Sequence, residues 1–164
     1  MKKLVLMLML CAPMTVFAQK FGHVDAQQVM QSLPEFIKAR GDLEAQSKQF
    51  ENDLKAMQDE IQRQSDEYDR TKSTMNPSKQ QETEAKLNEM VQKYQQAYQD
   101  NQQALQKAQQ EKMQPVITKV RNAIQNVGNA GGFTYIFEEG TAVYTGTNVE
   151  DVTSKVQSEL TKMK

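Results

Sequence analysis

Few side chains in this chain are equipped for chemistry, and their spacing decides what kind. His23 is the single histidine and Cys11 the single cysteine. His23 falls in a segment that reads as a strand, Lys20 to Asp25, where a structural role outweighs acid–base catalysis or metal ligation. The sequence holds no Ser/His/Asp order, no Gly-rich phosphate loop and no paired-cysteine spacing. Glu138 and Glu139 are adjacent but lie at a turn, where carboxylates face water rather than divide acid and base roles. Asp66, Glu67 and Asp69 read as the solvated face of a helix. Neither an enzyme nor a cofactor or metal site is expected. What remains is soft and apolar: Met57, Tyr68, Met75, Met90, Tyr94, Tyr98 and Met113, side chains suited to weak, adaptable contact.

These residues sit on two long helical patterns between about Pro34 and Val127, separated by the breaker Ser73-Thr74-Met75-Asn76-Pro77-Ser78. In the first, Leu43, Ser47, Phe50, Leu54, Met57, Ile61, Gln64 and Tyr68 alternate intervals of three and four, the seam period of a coiled coil. In the second, Leu87, Val91, Tyr94, Tyr98, Asn101, Leu105 and Ala108 continue it. Folding back at Met75-Asn76 sets Ile61 against Val91, Leu54 against Tyr98 and Tyr68 against Glu84, the register of an antiparallel hairpin joined by one turn. About 40 residues per arm at ~1.5 Å each give ~60 Å, longer than a compact domain of this size is wide. Pro34 suits the first helical position, and Asn76 with Pro77, or Ser78 with Gln81, caps the returning helix. Gly41 weakens the first arm by about 1 kcal/mol relative to Ala. The stripe slips between Leu105 and Val116, where Pro115 bends the helix, so residues 112–116 read as an elbow.

The 164 residues include 20 basic and 21 acidic side chains, a balance that argues against nucleic-acid binding by bulk charge. Aromatic content of 7% and a mean hydropathy of -0.74 fit an elongated protein with a small core. Residues 1–18 carry the pattern of a cleavable secretory signal: Lys2 and Lys3, an apolar run from Leu4 to Cys11, then Val16-Phe17-Ala18 before Gln19. A lipoprotein signal using Cys11 is the rival reading. With cleavage after Ala18 the mature chain has no cysteine and loses Lys2 and Lys3, leaving 18 of the 20 basic residues against 21 acidic ones.

Around the helices lies strand chemistry. Lys20 to Asp25 opens the mature chain, and a brief helix follows over Ala26 to Ser32. After the break at Gly128-Asn129-Ala130-Gly131-Gly132, Phe133 to Glu138 and Ala142-Val143-Tyr144 read as strands about a turn at Glu139-Gly140-Thr141. Asn148 is expected to cap a last helix with Val149, Val152, Val156, Leu160 and Met163 as its stripe. Three short strands are marginal alone, so association with further copies is expected to cover them. Phe21, Val24, Phe133, Tyr135, Ile136, Phe137, Val143 and Tyr144 are the candidates for that interface.

Phe21-Gly22-His23-Val24-Asp25, the Gln/Lys/Glu-rich coiled coil, Phe133 to Phe137, Ala142-Val143-Tyr144 and Asp151-Val152-Thr153 with Val156 together resemble the OmpH/Skp family of periplasmic chaperones. Pro115 resembles an elbow proline of many members. The resemblance implies an α+β, mainly α fold: a helical-hairpin tentacle over 34–114 with its tip near 73–78, and a β-body of 19–33 and 115–164 that assembles as a homotrimer. It also implies an ATP-independent periplasmic holdase that shelters unfolded outer-membrane proteins, with the seven Met and Tyr residues above as client contacts. A structural or tethering coiled coil of the cell envelope is the competing reading. The first arm departs from the basic tentacles of the best-known members: from Asp42 to Lys72 it carries Asp42, Glu44, Glu51, Asp53, Asp59, Glu60, Asp66, Glu67 and Asp69 against Lys48, Lys55, Arg63, Arg70 and Lys72. That weighs against the lipopolysaccharide contact attributed to basic tentacles.

Overall fold

The computed structural model describes residues 19–163; the expected leader, 1–18, and Cys11 within it lie outside them. The fold is mainly helical with a small strand region. Strand β1 (Phe21–Val24) leads into helices α1 (Ala26–Gln31) and α2 (Pro34–Thr71). A single 3-10 turn (Lys72–Thr74) precedes α3 (Pro77–Gly131), and β2 (Tyr135–Glu138), β3 (Glu150–Asp151) and α4 (Thr153–Lys162) complete the order. The chain divides into two compact units, one of 27–121 and the other of the described residues on either side.

In the first unit the sequence reading of α2 holds closely. Pro34 occupies the first turn, where its missing N–H costs nothing. Leu43, Ser47, Phe50, Leu54, Met57, Ile61, Gln64 and Tyr68 are all half-buried, and the positions between them are mostly exposed. Asn76 caps α3, its Oδ1 accepting the backbone N–H of Lys79 at 2.9 Å. Tyr68 donates its hydroxyl to Glu84 at 2.5 Å. Lys112 pairs with Asp42 at 3.1 Å and Lys119 with Glu35 at 2.7 Å. Partners thus rise along α3 as they fall along α2.

The seam expected on α3 needs correction. Val91 and Tyr98 stand 39% and 50% exposed, while Met90 and Ala97 are half-buried one position earlier. Thr83, Leu87, Met90, Tyr94, Ala97, Asn101, Ala104 and Ala108 hold the three-four rhythm instead. Helix α3 also continues through Pro115, whose ring removes the bond to the carbonyl of Glu111.

The helix ends within the expected break, 128–132. It runs to Gly131 and ends because Gly132 adopts φ +64. Phe133 N–H then reaches the carbonyl of Gly128 at 3.0 Å and Gly132 N–H that of Asn129 at 3.4 Å, the paired bonds of a Schellman motif. The ring of Phe133 folds back over Gly131, where a Cβ would meet it at 2.4 Å, and over Gly22, where a Cβ would meet it at 2.9 Å. Lys20 fastens this corner: its Nζ lies 4.1 Å from the centre of that ring, 3.3 Å from the carbonyl of Gly131 and 2.9 Å from Glu150.

The sheet is wholly parallel, in the order β2-β1-β3. Phe21 pairs with Tyr135 and His23 with Phe137 on one side, and Gly22 with Glu150 on the other. The expected strand at Ala142-Val143-Tyr144 is absent: Val143 and Tyr144 are 108% and 84% exposed and pair with no strand among the described residues. Its place as third strand is taken by Glu150–Asp151, two acidic residues without a strand signature, held because Val152 N–H donates to the carbonyl of His23 at 2.9 Å. Helix α4 accordingly starts at Thr153, not behind Asn148. Asp151 Oδ1 accepts the Thr153 N–H at 2.9 Å, and Val152, Val156 and Leu160 form the buried stripe.

Candidate functional site

Between α2 and α3, Ala56, Met57, Glu60, Ile61, Met90 and Lys93 line a cavity of about 320 Å³. Helical spacing puts Met57 and Ile61 one turn apart on the same face of α2. Met90 comes from α3. The two charged side chains at the rim are satisfied on their own helices. Glu60 accepts two bonds from Arg63, at 2.7 and 2.8 Å, and one from Gln64 at 2.9 Å. Those bonds, Arg63 first and Gln64 second, hold its carboxyl down at about 2. Lys93 pairs with Glu89 at 2.6 Å and lowers that carboxyl too. The groove therefore offers methyl, thioether and methylene surface and demands no polar partner.

The second candidate is one face of the sheet. Side chains alternate across a strand, so Phe21, Tyr135 and Phe137 share a face. Their rings stack with centroids 5.8 to 6.5 Å apart. Tyr135 is 59% and Phe137 44% exposed, a contiguous aromatic surface without cover. His23 lies beside them with a buried Nδ1 that has no hydrogen-bond partner among the described residues. Against this face and the 139–149 segment opens a cavity of about 430 Å³, with Phe21, His23, Phe137, Tyr144 and Val149 among its walls.

The opposite face carries structure. Val24 is only 2% exposed and belongs to the core of the chain, Ile136 Cδ1 reaches the α-carbon side of Gly128, and Phe133 is held between its two glycines. Of the eight candidates for association, Phe21, Tyr135 and Phe137 share the aromatic face, Val143 and Tyr144 stand free in the following segment, and Val24, Ile136 and Phe133 pack inward.

Of the seven Met and Tyr candidates, the groove unites Met57 and Met90. Tyr68 is tied to Glu84, which raises its phenol pKa. Met75 is half-buried at the turn between α2 and α3, Tyr94 and Met113 are half-buried on α3, and Tyr98 faces outward. Sequence reasoning assigned Ile61 to the seam and missed that it shares the groove with Met90. The signal available was the three-four rhythm through Leu87, Met90 and Tyr94. Among the described residues, no three His, Cys, Asp or Glu side chains converge to hold a metal ion, and no helix is long and apolar enough to cross a membrane.

The sequence model of the family described as outer membrane protein (OmpH-like) matches residues 20–160. The structure is similar to the crystal structure of a proposed outer membrane chaperone (OmpH-like) from Caulobacter crescentus CB15, with a TM-score of 0.76 at 15% identity, covering 89% of this chain and 86% of that one. At that identity the likeness speaks for the fold. No curated protein sequence matches significantly.

Proposed function

We propose, for a chain that belongs to the OmpH-like family, that it is an ATP-independent holdase of the periplasm, keeping unfolded outer-membrane β-barrel proteins from aggregating. The observation that carries this reading is the open groove of Met57, Ile61 and Met90 between α2 and α3. Burial there yields about 25 cal/mol per Å², so contacts of this kind add up over a client yet release singly without ATP.

In this reading residues 34–114 form an antiparallel hairpin, favoured by the ties from Tyr68 to Glu84, Asp42 to Lys112 and Glu35 to Lys119. Residues 19–33 and 115–164 form the body, with Pro115 as the elbow. Three copies join through the aromatic face of Phe21, Tyr135 and Phe137, and clients lie between the hairpins, against Met57 and Met90 and more loosely against Tyr68, Met75, Tyr94, Tyr98 and Met113. The leader 1–18 directs export. Neither nucleic acid nor catalysis has a part in the mechanism.

Dilution of a urea-unfolded porin into buffer, followed by turbidity, tests this. An excess of trimers over porin should keep it in solution. Full aggregation at that excess would leave a structural or tethering coiled coil as the better reading.

A further inference from the structure

The groove has a charged surround that its lining does not explain. From Glu51 to Asp69, α2 carries seven acidic side chains against Lys55 and Arg63, a net charge of -5. The facing stretch of α3, 83–100, adds Glu84, Glu89 and Asp100 against Lys86 and Lys93, a further -1. Local ion pairs use Lys55 on Asp59, Arg63 on Glu60 and Glu67, and Lys72 on Asp69. In this stretch of α2 three carboxylates have only neutral donors, Glu51 from Ser47 at 3.4 Å, Asp53 from Gln49 at 2.8 Å and Asp66 from Gln62 at 2.8 Å, and on α3 the same holds for Glu84, from Tyr68, and Asp100, from Gln96. Along the helix, Asp53 lies about 6 Å before Met57, and Asp66 about 8 Å beyond Ile61. The Asp53 separation falls within about one Debye length at physiological salt, so its field reaches whatever occupies the groove, while Glu51 and Asp66 lie toward the far side of α2 and add to its net charge.

We propose that this groove selects unfolded segments in which an apolar side chain is flanked by lysine or arginine, a basic rather than an acidic class of client. The apolar residue fills the space between Met57, Ile61 and Met90, and its basic neighbours meet Asp53 and the net negative charge of α2. An acidic segment meets the same carboxylates as repulsion, so discrimination comes from both signs. The proposal rests on the holdase reading and specifies which chains that holdase prefers.

The test uses the purified protein and three labelled peptides of equal length and identical apolar residues, flanked by Lys, Gln or Glu. The Lys peptide should bind about tenfold more tightly than the Glu peptide at about 20 mM salt, narrowing to about threefold or less at about 0.5 M. The exposed triple variant E51Q/D53N/D66N, its helicity checked by circular dichroism, should bring the two within about twofold while the Gln peptide binds as before. M90Q should weaken all three alike. Equal binding of the Lys and Glu peptides, a preference that survives the triple variant, or indifference to M90Q would each overturn the proposal. If porin is still protected in those cases, the holdase reading stands without this selectivity; if porin also aggregates, both fall.

Discussion

The backbone N–H of Asp25 donates to Oγ1 of Thr153 at 3.0 Å, joining the end of β1 to the first residue of α4. Thr153 is the one buried polar residue among those described. Its hydroxyl and amide both serve the junction, the amide binding Asp151. Thr153→Val keeps the shape but strands the Asp25 donor, so it should destabilise the chain by about 1–3 kcal/mol in urea unfolding, with Thr153→Ser retaining most of the stability. Equal midpoints for Val and Thr would mean that water satisfies Asp25 instead.

Two glycines should respond to alanine with opposite signs. At Gly22 the added methyl meets the Phe133 ring at 2.9 Å and the carbonyl oxygen of Glu150 at 3.2 Å. Backbone cannot yield there as a side-chain tip can, and a loss of about 1–3 kcal/mol is expected. At Gly41, inside α2, a methyl meets nothing within 4 Å, and the gain should be about 0.5–1 kcal/mol from helix propensity. Thermal melts of both variants check the pair.

The proposed association through the aromatic face has its own signature. Tyr135→Asp and Phe137→Asp place a charge on exposed surface, so they should leave the protomer folded and lower the particle mass measured by light scattering. Ile136→Asp points toward Gly128 and should instead unfold the body. An unchanged mass in the first two variants would remove this face from the interface.

Acid should weaken the fold in a defined window. Asp151 titrates below its ordinary 3.8, chiefly because the side chain and backbone of Thr153 hydrogen-bond its charged form. Glu60 is lowered from 4.5 to about 2 by Arg63 and then Gln64. A carboxyl depressed in the folded state contributes fully above its unfolded pKa, and that contribution fades as pH falls through the folded one. Urea midpoints should therefore drop between about pH 4.5 and about pH 2. Asp151→Asn should be less stable than the parent at pH 7 and converge with it near the acid end; a constant gap between them would contradict the assignment.

Much of α2 was legible because its signal is redundant: eight seam positions, a proline at the start and an asparagine-capped successor agree with one another. The seam of α3 was harder, since Val91 and Tyr98 are apolar by type while Thr83 and Ala97 are not conspicuous. There the rhythm was the better guide, and hydrophobicity misled. Ala142-Val143-Tyr144 has strand composition but no strand neighbour among the described residues. Glu150–Asp151 has the neighbour and not the composition, because a parallel edge of two residues is set by backbone bonds and by burial of Val152. Parallel pairing was likewise invisible, since it depends on which distant segment lands beside β1. The aromatic cluster was visible as a set of residues; its division between a buried and an open face followed only from the register.

Strand β1 leaves the ribosome among the first residues of the body, yet both neighbours in its sheet, Tyr135–Glu138 and Glu150–Asp151, are made near the end. Helices form from local contacts in microseconds, whereas pairings distant in sequence wait for the chain to be complete. Tyr135 and Phe137, and with them the open aromatic face, do not exist on a half-made chain. The order of the chain thus postpones closure of the sheet until the polypeptide is whole.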